Sequence, residues 1–201
     1  MSERLKHYQK RRPKNRGKLK GAQFERTICR RLSLWVSDFQ HKDVFWRSAM
    51  SGGRSTLAER AGRHGEATSM AGDLSATHPK GHALLALFTV ECKFYKDLHF
   101  SQFIFSNTGP LAVFWKQAKR NCAKNREPLL ILKQNFQREL VGVSYQGLRI
   151  LRKGARRWKR LRPQAYFPKL DLYIFLLRDV LAEVKFQRVR NYYRVQISNN
   201  L

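Results

Sequence analysis

The chain has 201 residues, of which 41 are Lys or Arg and 14 Asp or Glu, a formal charge of +27, and 42% are apolar. That apolar content excludes wholesale disorder, and the charge repels itself in a compact state unless a polyanion is bound, so nucleic acid is the expected partner and an anionic membrane the weaker candidate. Three widely spaced cysteines (Cys29, Cys92, Cys122) without a CxxC pair argue against a disulfide scaffold and a structural zinc site.

The N-terminus lacks the apolar core of a signal peptide, and no apolar stretch is long enough to span a bilayer, so a cytoplasmic protein without membrane association is expected. Residues 1–20 read as a basic arm with one acid, Glu3. It is either a solvated tail or a phosphate-tracking arm that orders on DNA.

From Gly21 to about Phe39 the period turns helical: Phe24, Ile28, Leu32, Trp35 and Phe39 form one stripe, with Glu25 at its edge. Residues 43–48 read as a short strand and 49–72 as a loop punctuated by glycines. In that loop Ser51, Gly52, Gly53 and Arg54 would present N–H groups and a guanidinium to phosphate.

Asp73–Thr77 and Leu84–Lys93 are expected as an antiparallel hairpin turning at 78–82, with His78 and His82 at the surface. Residues 96–109 look irregular and aromatic. Residues 111–125 then read as a helix, with Leu111, Phe114, Trp115 and Ala118 inward, and 128–133 as a buried strand, which together favour a parallel crossover. Leu140–Leu151 is expected as another hairpin, and 171–184 as a strand passing into a short helix. Between them Arg149–Arg162 carries eight cations and no acid, Arg156, Arg157, Lys159 and Arg160 among them, and reads as a DNA-binding patch.

The chemistry concentrates where the apolar run 84–90 ends in Glu91-Cys92-Lys93. A strand turns alternate side chains to opposite faces, so Glu91 and Lys93 share one and Cys92 points into the core, an inert thiol. Asp73, after Gly72, adds a second carboxylate from a neighbouring strand. Two carboxylates suit Mg²⁺, which keeps several of its waters. Lys93 would orient the attacking water or offset charge on a phosphate. The reading is a metal-dependent phosphodiesterase centre built on Asp73, Glu91 and Lys93.

In this arrangement the chain resembles the PD-(D/E)xK nuclease superfamily, and within it the archaeal-type Holliday junction resolvases. Glu25 looks like the acidic residue of the first helix, and Arg47-Ser48-Ala49-Met50-Ser51-Gly52 like the Arg…Ser-Gly segment after the first strand. Gly72-Asp73-Leu74 and Glu91-Cys92-Lys93 supply the signature, Gln117 lies on the helix after it, and Lys133 ends the following strand. The match covers roughly residues 18 to 135.

The resemblance implies an α/β (α+β) fold, a restriction-endonuclease-like αβββαβ core with a mixed central sheet. It also implies a metal site of Asp73, Glu91 and Glu25, Ser51 near the scissile phosphate, a 5′-phosphate product and a homodimer. A phage-encoded member, acting in the host cytoplasm, fits as well. The expected organisation is an arm at 1–20, a nuclease core at 21–135 and a C-terminal extension packed on it at 136–201.

The expected function is a Mg²⁺-dependent DNA endonuclease, with Mn²⁺ able to substitute and no small-molecule cofactor. Branched DNA such as Holliday junctions is the expected substrate, contacted through Arg47, Arg54, Gln117, Lys133 and the Arg156–Arg160 cations. A restriction-type or general DNA endonuclease and a non-catalytic basic DNA- or RNA-binding protein are the alternatives.

Overall fold

The computed structural model describes residues 16–48 and 72–198. Helix α1 (Arg16–Val36) takes in the last five residues of the stretch read as the arm. Its stripe of Phe24, Ile28, Leu32 and Trp35 is buried as the period requires. Phe39 is not part of it. The backbone turns left-handed at Asp38 and Phe39 (φ 53° and 65°), and the Phe39 ring faces solvent.

Strands β1 (Phe45–Arg47) and β2 (Leu74–Ala76) form a two-stranded antiparallel sheet, with Trp46 opposite Ser75. This corrects the expected hairpin, because β2 pairs with β1 and not with the strand carrying Glu91. After β2 the chain enters helix α2 (Pro79–Leu87), so Leu84–Leu87 is helical and strand β3 begins at Phe88.

The start of α2 has a clear chemical cause. Pro79 occupies its first turn, and His78, expected in a turn, caps it, its Nδ1 accepting the Lys80 N–H at 3.1 Å. Gly81 then lets α2 lie against β1, since a Cβ there would meet the Phe45 ring at 2.8 Å and Val44 at 2.9 Å. A short apolar run does not declare its own period, and here the cap and the close approach decide it.

Strand β3 (Phe88–Tyr95) is followed by α3 (Phe100–Ser106), which lies in the stretch expected to be irregular, then by α4 (Pro110–Arg120) and β4 (Glu127–Gln134). The expected parallel crossover is present: β4 runs parallel to β3, with Leu130 beside Glu91 and Leu132 beside Lys93.

Strand β5 (Leu140–Val143) leads into helix α5 (Tyr145–Gly154) instead of a second hairpin strand. Ser144 caps that helix through its Oγ, which accepts the Gly147 N–H at 2.9 Å. Strands β6 (Ala165–Phe167) and β7 (Leu172–Leu176) and helices α6 (Leu177–Glu183) and α7 (Phe186–Ser198) complete the described chain. The strand running into a short helix over 171–184 is as expected.

The large sheet is mixed, ordered β3-β4-β5-β7-β6, so β3 is an edge strand and residues beyond 135 supply three of its five strands. Alternation sorts the two faces. Val90, Cys92, Leu129, Ile131, Val141 and Val143 pack with α1, α5 and α7, whereas Leu130, Leu132, Leu172 and Ile174 pack with α3 and α4. The element order and mixed sheet are those of the restriction-endonuclease-like α/β fold expected from the sequence. Among the described residues no helix is long and apolar enough to cross a membrane.

Candidate active site at the β3 edge

The outer edge of β3 is where Asp73 meets Glu91. The Asp73 N–H donates to the Val90 carbonyl at 2.8 Å, and Asp73 Oδ2 accepts the Cys92 N–H at 2.7 Å. The carboxylate thus takes the place that a neighbouring strand's carbonyl would fill. Gly72 makes the approach possible: its φ is +91°, and a Cβ there would lie 2.6 Å from the Val90 oxygen. On the other side the Ser48 N–H donates to the Asp73 carbonyl at 2.8 Å, which ties the end of β1 to the same point.

Glu91 and Lys93 share the α4 face, as alternation demands, and Cys92 points to the opposite core. Lys93 Nζ lies 3.1 Å from Glu91 Oε2, and Asn121 at the end of α4 donates from Nδ2 to Glu91 Oε1 at 3.4 Å. From the α1 side, Glu25 receives the Nε–H of Arg47. Arg47, Arg26, Trp46 and Ser48 border a hollow of about 250 Å³.

The electrostatics are those of crowded acid. Burial raises the Asp73 carboxyl, and the charge of Glu91 raises it further. The Cys92 N–H and Lys93 pull it down, Glu25 adds to the rise, and the result is about 7. Burial works against the Lys93 ammonium, but Glu91 and then Asp73 outweigh it, so its pKa rises and the charge is kept at neutral pH. The nearby thiols are silent: burial, then Glu25 and Asp73, pushes Cys29 up to about 12, and burial holds Cys92 well above its ordinary value.

Among the described residues no group of three acidic, histidine or cysteine side chains is arranged to hold a metal ion. The pair Asp73 and Glu91 does fit a divalent ion by chemistry. Both are hard oxygen donors, both are buried, and their mutual repulsion raises Asp73, a penalty that a cation would relieve.

Of the expected site residues, Asp73, Glu91 and Lys93 come together, and Glu25, paired with Arg47, is near enough to raise Asp73. The expected metal site of Asp73, Glu91 and Glu25 together is not formed among the described residues. Ser51 and Arg54 lie outside the described residues. Gln117 is half-buried on α4, one turn before Asn121, and it is Asn121 that reaches Glu91. The sequence reading missed Asn121, although a spacing of four from Gln117 places the two on one helix face. Lys133 belongs to the other face of the sheet. It lies beside Phe94, not Lys93, and its Nζ binds Glu139 Oε1 at 2.5 Å. Arg156, Arg157, Lys159 and Arg160 are exposed on the chain between α5 and β6, the strand at the opposite edge from β3. Four strand spacings separate those edges, about 19 Å.

No curated protein and no solved structure matches this chain. A family model described as "Phage putative PDDEXK endonuclease" matches residues 16–167, from the first residue of α1 to the last of β6. The match spans well over half of the 201 residues and contains Asp73 and the Glu91-Cys92-Lys93 triplet that gather at the β3 edge, and the chain belongs to this phage PDDEXK endonuclease family of the PD-(D/E)xK superfamily.

Proposed function

We propose that the protein is a metal-dependent endonuclease that cuts branched DNA, Holliday junctions above all. The observation that carries the catalytic part is the convergence of two buried, mutually repelling carboxylates, Asp73 and Glu91, with the Lys93 ammonium on one strand edge. Bound there, Mg²⁺, or Mn²⁺ in its place, supplies an activated water and neutralises charge on the phosphate.

The chain's own residues do the rest. Asp73 and Glu91 hold the ion, Asp73 kept in position by the Cys92 N–H and Glu91 by Lys93 and Asn121. Lys93, charged at neutral pH, faces the phosphate and offsets the charge that builds there. Glu25 takes its part through Arg47, orienting the guanidinium at the mouth of the site.

Support for DNA comes from the family and from the charge of +27. The junction preference rests on the resemblance of the Glu25, Arg47, Asp73 and Glu91–Lys93 segments to resolvases. A homodimer would suit paired nicks across a two-fold junction and leave 5′-phosphate ends. The exposed cations Arg156, Arg157, Lys159 and Arg160 would hold duplex arms away from the cut.

The test is cleavage of labelled four-way junction and linear duplex in Mg²⁺, Mn²⁺ and EDTA. Junction cutting is expected with either metal and not in EDTA. Equal cutting of the linear duplex would make the protein a general endonuclease. Binding of both DNAs without metal-dependent cutting would make it a non-catalytic binder.

A further inference from the structure

The turn between β4 and β5, residues 135–139, holds a residue that the fold does not explain. Phe136 has φ 60° and a relative exposure of 102%. Left-handed backbone is strained for a bulky side chain, and glycine or asparagine at this position would avoid the strain. A fully exposed phenyl ring recovers none of that by burial. The turn itself needs only backbone, since the Gln137 N–H closes it on the Gln134 carbonyl at 3.2 Å.

Phe39 is the instructive contrast. It too is left-handed and exposed, but its N–H ends α1 by donating to the Leu34 carbonyl at 2.7 Å, and it borders a cleft with Trp35 and Val36. Conformation and ring both have a use there, whereas at Phe136 the left-handed φ serves the Gln134–Gln137 turn, as glycine would, and the ring serves nothing in the fold.

The position of Phe136 relative to the site suggests its use. Strands β3 and β4 are parallel, with Leu132 beside Lys93 and Gln134 beside Tyr95, so the turn lies past the same end of the sheet as the site. Beyond the Lys93 row β4 runs two more residues, to Gln134, about 7 Å, and Phe136 lies in the turn that follows.

Its surroundings suit nucleic acid. Gln134, Asn135 and Gln137 are neutral hydrogen-bonding groups, and Lys96 and Arg138 are exposed cations. The acids in reach are already engaged: Glu139 by Lys133 and Arg31, Asp97 by His99 at 3.4 Å.

We infer that Phe136 is a wedge that enters the base stack of bound DNA a few steps from the cleaved phosphate and holds bases unstacked there. The inference rests on the nuclease reading for the identity of the polymer. An exposed aromatic flanked by cations is the means by which many DNA-bending proteins open a base step, and an unpaired or branch-point base is the least costly to open. A wedge would therefore favour branched over linear DNA without reading sequence.

The experiment measures binding in EDTA, so that unstacking is read without cleavage. Four-way junctions carry 2-aminopurine, in turn, at each position within about five base pairs of the branch point. Wild-type protein is expected to raise the fluorescence several-fold at one or two adjacent positions. Phe136→Ala is expected to lose that signal and bind about tenfold more weakly, one stacking contact being about 1–3 kcal/mol. Phe136→Trp is expected to keep both.

A Phe136→Ala protein that matches wild type in signal and affinity overturns the inference. So does one whose sedimentation as free protein changes while the fluorescence does not, because the ring would then serve self-association. A wild type that unstacks bases but never cuts with metal would sink the nuclease reading and leave the wedge. A wild type that cuts DNA but raises no fluorescence that Phe136→Ala loses would do the reverse.

Discussion

Two lysine–glutamate pairs sit on opposite faces of the same sheet, and they do different things. Lys93 and Glu91 are 3.1 Å apart on the α4 face, their side chains 23% and 6% exposed. Lys133 and Glu139 are 2.5 Å apart on the α1 face, 29% and 23% exposed.

The decisive difference is the third member. Glu139 has a second cation, Arg31, at 3.4 Å, so one acid meets two bases. Burial would raise the Glu139 carboxyl, but Lys133 and Arg31 carry it below its ordinary value. Glu91 has instead a second acid, Asp73, whose own carboxyl is driven up to about 7. A pair with surplus positive charge is complete and ties α1 to the sheet. A pair with surplus negative charge is one that a bound cation would complete. What separates a functional ion pair from a structural one is its charge balance in three dimensions, which the residue types alone do not disclose.

The largest expected effect separates the two pairs by activity. Glu91→Gln should lower cleavage by about two to three orders of magnitude, while Glu139→Gln should leave the rate within about threefold and cost about 0.5–1 kcal/mol of stability. A urea melt beside the cleavage assay reads both. Equal losses of activity in the two variants would erase the contrast between the pairs.

A second effect is in pH, and its sign differs between the two sites. Asp73 has a folded value of about 7 against an ordinary 3.8, a raised acid. Its contribution to stability is full below about 4 and is lost as pH rises toward 7. Glu139 is a lowered acid, so its contribution is full above its ordinary range and is lost on acidification. In EDTA, Asp73→Asn should melt at a higher temperature than wild type at pH 8, with the gap closing by about pH 4. Glu139→Gln should melt below wild type at pH 8, with that gap closing on acidification through the carboxylate range. Excess Mg²⁺ should raise the wild-type midpoint at pH 8 and not that of Asp73→Asn, as differential scanning fluorimetry will show.

The smallest expected effect concerns Asn121. Its hydrogen bond to Glu91 is long, 3.4 Å. Asn121→Ala should weaken the apparent affinity for Mg²⁺ by roughly threefold to tenfold, at the low end for partners that orient a metal ligand, with little change in the rate at saturating metal. A Mg²⁺ titration of the cleavage rate measures it, and an unchanged midpoint would remove Asn121 from the site.

The legible part of the site is the part that local rules control. Strand alternation places Glu91 with Lys93 and turns Cys92 away, and Gly72 permits Asp73 to approach the strand; each rests on residues one or two positions apart. Lys133 escapes such rules because the face it takes depends on register: it lies beside Phe94, and one residue of slip would have put it with Lys93. Asn121 escapes them because its distance to Glu91 is set by how α4 packs on β3. The end of α2 reads as strand because four apolar residues carry no period of their own, and a histidine cap and a glycine against Phe45 decide the matter.

By itself, then, the sequence determined the nucleic-acid character of the chain, its α/β order, the parallel crossover and the Asp73, Glu91 and Lys93 signature, because composition, helical period and strand alternation are local properties. Only the tertiary structure decided that β2 pairs with β1, that Asp73 bonds to the outer edge of β3, and that Glu91 has a second acid beside it where Glu139 has a second cation. The reason is physical. Strand partners and charge balance are set by contacts between residues far apart in the chain, and their energies depend on what else is buried with them.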